Sequence, residues 1–160
     1  MISRLSDDHK AVGEVLAQLW RALNNKDVQT SYARLDLLWA RLAVHIRAEH
    51  LHLFPVILAK TTDAQTLIEP LRADHDFFMR ELARALGILR DEPNLETVTA
   101  IVREVENRLA THNEIEEHQI YPQSSRLLTE PEQLDLLARI NAELENRPPR
   151  FSAEAWANSL

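Results

Sequence analysis

Two phrases of the chain carry the same donor atoms in the same order. His45-xxx-Glu49-xxxx-Phe54-Pro55 returns 67 residues later as His112-xxx-Glu116-xxxx-Tyr121-Pro122. A lone histidine stands ahead of each copy, His9 after Asp8 and His75 after Asp74. With no cysteine in the chain, thiolate sites, iron–sulfur ligation and disulfides are excluded, and imidazole and carboxylate are the ligand chemistry left. Residues four apart share one face of a helix, so each HxxxE phrase delivers a nitrogen and an oxygen to the same side. The six donors His9, His45, Glu49, His75, His112 and Glu116 point to a metal centre.

The elements that must position these donors are helices. Only two glycines occur in 160 residues, against abundant Leu, Ala, Glu and Arg, which leaves little for tight hairpins and predicts an all-α domain. Apolar residues at steps of three and four draw four seams. The first runs Leu5, His9, Val12, Leu16, Leu19 and Leu23, with Ser6 or Asp7 as its cap. The second runs Leu35, Leu38, Leu42, His45, Glu49, His52 and Val56, after a break at residues 24–27. The third runs Ile68, Leu71, His75, Phe78, Leu82, Ala85 and Leu89, with Thr62 and Gln65 spaced as a capping box. The fourth runs Val98, Val102, Val105, Leu109, His112, Glu116 and Gln119. Short connections make this an antiparallel up-down four-helix bundle over residues 1–125. Pro55 and Pro122 should disturb or stop their helices at equivalent places. Thr129-Glu130-Pro131-Glu132 starts a fifth helix running to about Asn146, and residues 126–160 are expected to add this helix and a tail, with Phe151 and Trp156, to the bundle.

Depth along the bundle agrees with the faces. About 15 residues separate His9 from the first break, and about 15 more lead back to His45, so each leg covers ~22 Å and the two histidines end level. The second hairpin gives nearly the same count for His75 and His112. Glu49 and Glu116 lie one turn beyond their histidines. A carboxylate in a bundle seam costs several kcal/mol unless paired or coordinated, and no lysine or arginine shares these seam positions. A cation is the expected partner; the alternative is a buried hydrogen-bonded network.

The pattern of a histidine on helix one, HxxxE on helix two, a histidine on helix three and HxxxE on helix four resembles the hemerythrin-like, or HHE cation-binding, domains. The resemblance covers residues 1–125. It implies two iron ions joined by an oxo or hydroxo bridge, with Glu49 and Glu116 bridging and His9, His45, His75 and His112 terminal; other divalent metals are compatible with the donors. The oxygen-carrying branch has five histidines, with HxxxH on the third helix, whereas Leu71 and Met79 flank His75 here. At about six ligands per iron, roughly two positions are then left open or water-bound. The implied roles are binding or sensing dioxygen, nitric oxide or iron. An oxidoreductase reacting with peroxide, or an iron–sulfur repair-type factor, is the second reading, weakened by the absent cysteine-bearing segment. A metal-free helical interaction module is the third.

Neighbouring residues are assigned lesser roles. His52 and Gln119 continue the seams past the glutamates and are expected to support the ligands from behind or line the cavity rather than ligate. Glu117 is a weaker rival of Glu116. His50 and His118 face away by helical angle and should be surface residues. Asp8 and Asp74 should act at helix starts or behind the ligands. Phe54, Phe78, Tyr121, Leu42, Leu71 and Leu109 should be core, Tyr121 bringing a hydroxyl where the first repeat has Phe54. Trp20 and Trp39 fall off the seams and fit either a partner surface or packing against the fifth helix. The formal net charge of −7 argues against a nucleic-acid partner. With no apolar leader and no stretch read as membrane-spanning, a cytoplasmic protein is expected. Oligomeric state is not readable.

Overall fold

The computed structural model describes residues 3–145, and throughout that range the ordered elements are helical. They run α1 (Ser3–Asn24), α2 (Val28–Ala48), α3 (Phe54–Lys60), α4 (Gln65–Asp91), α5 (Leu95–Ile115), α6 (Tyr121–Leu127) and α7 (Glu130–Glu145). Helices α1, α2, α4 and α5 form the four-helix bundle, each packed on the two beside it. The expected tail, including Phe151 and Trp156, lies outside the described residues.

Local chemistry sets the ends. α1 starts at Ser3, a turn ahead of the expected cap at Ser6 or Asp7. It closes where Lys26 takes a left-handed conformation (φ 55°) and Asp27 N–H donates to Ala22 O. Asp27 then caps α2, accepting from Thr30 N–H at 3.0 Å, and Asn94 caps α5, accepting from Thr97 N–H at 3.1 Å. No capping box forms at Thr62; residues Thr62–Ala64 make a 3₁₀ turn, and Gln65 donates to Glu69 instead. The box does form ahead of α7, where Thr129 N–H donates to Glu132 Oε1 and Glu132 N–H to Thr129 Oγ1.

Between α2 and α3, and again between α5 and α6, the backbone widens into π turns at Glu49–Leu53 and Glu116–Ile120. Phe54 N–H donates to Glu49 O and Tyr121 N–H to Glu116 O, five residues back rather than four. Pro55 and Pro122 follow directly. A proline ring clashes with the carbonyl four residues before it and brings no N–H; a wider turn moves that carbonyl aside and lets the helix continue. The disturbance expected at each proline therefore falls upstream, on the turn that opens with a candidate ligand.

Two apolar clusters hold the fold. One fills the bundle around Leu19, Leu35, Leu38, Phe78, Leu82 and Val102; the other gathers Leu5, Leu53, Phe54, Ile57, Leu71 and Tyr121 with Leu136, Ile140 and Leu144 of α7. His9, His45, Glu49, His75, His112 and Glu116 fall between them along the helices. α7 packs on α2 and its π turn, and each of its three buried side chains stabilises that docking by ~1.5–3 kcal/mol. Trp39 is also core, donating its indole N–H to Met79 O at 3.0 Å, and Trp20 is held by Glu106 and by Arg103 over its ring. Both therefore have contacts within the bundle. One continuous helical run, Val28–Lys60, is by length and composition apolar enough to cross a membrane, contrary to the sequence reading; its most apolar window is 56 % buried in the bundle, as a core helix would be.

Candidate metal centre

The six expected residues converge from four helices and two π turns. Donor atoms of Glu49, His75, His112 and Glu116 lie within 4.8 Å of one another, as do those of His9, His45 and Glu116. Glu49 and Glu116 have no exposed surface, and His45, His75 and His112 are at most 2 % exposed. His9 Nε2 is 3.2 Å from His45 Nε2, and His75 Nε2 is 3.0 Å from His112 Nε2. The site thus has two halves, one on α1 and α2 and one on α4 and α5, with the two glutamates reaching into both.

Every imidazole is held from behind through its other nitrogen. Asp8 Oδ2 accepts from His45 Nδ1 at 2.9 Å, Asp74 Oδ2 from His112 Nδ1 at 3.1 Å, and Glu117 Oε1 lies 3.1 Å from His9 Nδ1. Asp8 and Asp74 therefore act across helices, each on the histidine of the facing helix. Glu117 lies behind the cluster and Glu116 inside it. A histidine that gives its Nδ1 proton to a carboxylate turns a lone pair at Nε2 towards the site, the tautomer a cation requires.

His75 has the same support from His50, whose Nε2 is 2.7 Å from His75 Nδ1. This overturns the surface role expected of His50. About 100° from Glu49 on an α-helix is a flank that need not face solvent; the π turn begins there, and His75 of α4 meets it. Burial, then the nearby His75, holds the His50 pKa down at about 4, which keeps its ring neutral and able to accept. His52 is corrected too: it does not line the cluster but meets Glu143 of α7 at 3.2 Å. Gln119 and His118 are exposed.

Tyr121 is core, as expected, and its hydroxyl sits among the donors. Oη donates to Glu49 Oε2 at 3.0 Å and lies 3.3 Å from Glu116 Oε1, 3.1 Å from His9 Nε2 and 3.4 Å from His45 Nε2. The sequence signal was the Phe54-to-Tyr121 difference between the repeats. Burial, then Glu116 and Glu49, pushes its pKa well above the ordinary phenol value.

The electrostatics are those of a site short of positive charge. Burial favours neutral His45, but Glu49, Asp8 and Glu116 outweigh it and raise its pKa well above the ordinary value. His112 is raised in the same way against its burial by Glu116, Glu49 and Asp74. Burial likewise favours neutral Glu49, and His45 with its other partners overrides it, holding the carboxyl well below the usual range. Even so, Glu49 Oε1 and Glu116 Oε2 are buried without a hydrogen-bond partner. A buried carboxylate oxygen left unpaired is costly; cations within the cluster would supply its partner, so the donor set fits a metal.

The family model for the hemerythrin HHE cation-binding domain matches residues 1–124. The chain belongs to that family. In this HHE domain the matched span runs from α1 into α6, and the buried His/Glu cluster fits a metal-binding protein. No curated protein and no solved structure was found to match the chain.

Proposed function

We propose that this HHE domain holds a non-haem di-iron centre and uses it to bind or sense a small molecule, dioxygen or nitric oxide, or to respond to iron itself. His9 and His45 would hold one cation, His75 and His112 the other, with Glu49 and Glu116 spanning the two. The observation that carries this reading is the pair of unpartnered oxygens, Glu49 Oε1 and Glu116 Oε2, facing imidazoles whose outer nitrogens are already engaged. Glu49 Oε1 lies 3.3 Å from His75 Nε2 and 3.4 Å from His45 Nε2, and a cation between them would take all three donors. Iron is chosen by the family resemblance and by a sulfur-free N/O donor set.

When bound, the iron pair supplies Lewis-acid positions and one-electron chemistry for the small molecule. The chain's own part is to fix tautomers through Asp8, Asp74, Glu117 and His50, and to line the approach with Phe54 and Phe78, which pack on His75 and His112. Both rings are fully buried and limit the water around the donors. Metal analysis of protein purified without chelator tests the centre; close to two irons per chain is expected, and none would refute it. Dioxygen, nitric oxide and peroxide added in turn to the reduced protein then separate binding, seen as a stable adduct, from the oxidoreductase alternative, seen as multiple turnover.

A further inference from the structure

The two halves of the cluster are not chemically alike. In the first repeat Phe54 stacks on His75, ring centroids 6.0 Å apart and planes 8° apart, and offers no donor atom. In the second repeat Tyr121 occupies the matching place and turns Oη into the half formed by His9 and His45. A hydroxyl that merely satisfies itself needs one acceptor. This one has four candidate ligand atoms within 3.4 Å, at 3.0, 3.1, 3.3 and 3.4 Å.

Those separations are those of atoms that share a cation. Donors bound at about 2.0–2.2 Å and roughly a right angle apart lie ~3 Å from one another, as His9 Nε2 and His45 Nε2 do at 3.2 Å. Tyr121 Oη stands at the same spacing from both histidines and both glutamates. The residue is 6 % exposed, and its backbone is fixed by the bond from Tyr121 N–H to Glu116 O that closes the π turn. The oxygen is therefore held in place by the fold.

We infer that Tyr121 is itself a metal ligand, giving a phenolate oxygen to the cation carried by His9 and His45; this rests on the di-iron reading. On binding, the Oη–H bond breaks, an Oη–metal bond forms and the proton leaves to solvent, with no change in electron count. A nearby cation favours the ionised form of a donor, as it does for bound water and thiols. The place left for an exogenous molecule then falls at the other cation, between His75 and His112 and against Phe54 and Phe78.

The experiment loads the metal-free full chain with ferrous iron, oxidises it, and records iron content, the visible spectrum and the resonance Raman spectrum together. A tyrosinate-to-ferric charge-transfer band is expected, with enhanced ring modes that shift when the protein is made with ring-deuterated tyrosine. Tyr121→Phe, which restores the residue of the first repeat, should abolish the band while iron is retained; Tyr32→Phe should leave it intact. Iron bound at two per chain without tyrosinate modes overturns the role of Tyr121 and leaves the di-iron reading standing. Failure to bind iron overturns both. The isotope shift in the unsubstituted protein decides the matter even if Tyr121→Phe folds poorly.

Discussion

His50 Nε2 lies 2.7 Å from His75 Nδ1, so one imidazole backs another where the remaining three are backed by carboxylates. A neutral ring orients His75 but lends it less negative charge than Asp8 lends His45. Replacing such an outer partner typically lowers metal affinity 10–100-fold. His50→Ala should weaken metal binding by about that factor in competition titrations against a chelator, while His50→Gln, which keeps an acceptor, should recover part of it. His118→Ala, at an exposed position, should change nothing. Equal affinity in all three variants would show that the contact is incidental.

The six donors and the bundle that carries them could be read from the sequence because both depend on helical periodicity within single segments. Seams through His45 and Glu49, or His112 and Glu116, survive any reasonable placement of the helix ends. What could not be read lies between helices or at the irregular turns. Asp8 accepts from His45 rather than from its neighbour His9, which depends on how α1 and α2 are rotated against each other. His50 and His52 were assigned by angle on an isolated helix, and α4 and α7 claimed one each. Tyr121 differs from Phe54 by one oxygen, whose importance rests on the π turn that Pro122 imposes.

Glu49 and Glu116 should be the most sensitive positions. Both have no exposed surface, and each faces histidines on more than one helix: Glu49 Oε1 is 3.4 Å from His45 Nε2 and 3.3 Å from His75 Nε2. Removing one partner of a buried charged pair costs about 3–5 kcal/mol because the other is left uncompensated. Glu49→Ala is expected to lose metal stoichiometrically and to destabilise the metal-free chain by about that amount in denaturant titrations. Metal content unchanged from the unsubstituted protein would remove Glu49 from the ligand set.

Above neutrality the metal-free chain should respond to pH in a direction opposite to the loaded one. His45 and His112 have folded pKa values above the ordinary 6.5, so their contribution is complete below about 6.5 and is lost as pH rises through the raised values. Glu49 is depressed below the ordinary 4.5; its contribution holds above that and is lost as pH falls through the lowered value. His50, held at about 4, takes stability away as pH falls from about 6.5 towards 4. In chelator, the melting temperature should therefore decline on the alkaline side of neutrality. With metal, which competes with protons for the same nitrogens, it should hold or rise over that range and collapse in acid as the metal leaves. Parallel curves with and without metal would deny that the histidines titrate at the cluster.

α7 should matter to the centre although none of its residues enters the cluster. Ile140 has no exposed surface and packs in the same apolar cluster as Leu53, Phe54 and Tyr121, while Glu143 reaches His52 within the π turn that begins at Glu49. Deleting most of a buried isoleucine costs about 2–5 kcal/mol, and here the void opens in the apolar cluster that also holds Phe54 and Tyr121. Ile140→Ala should lower the stability of the metal-free chain by that amount. It should also speed metal loss to chelator, because loosening α7 frees the turn that fixes Glu49. Glu143→Ala, at a partly exposed pair, should do the second with little of the first. If Ile140→Ala destabilises the chain but metal leaves at the unsubstituted rate, α7 supports the fold without bearing on the centre.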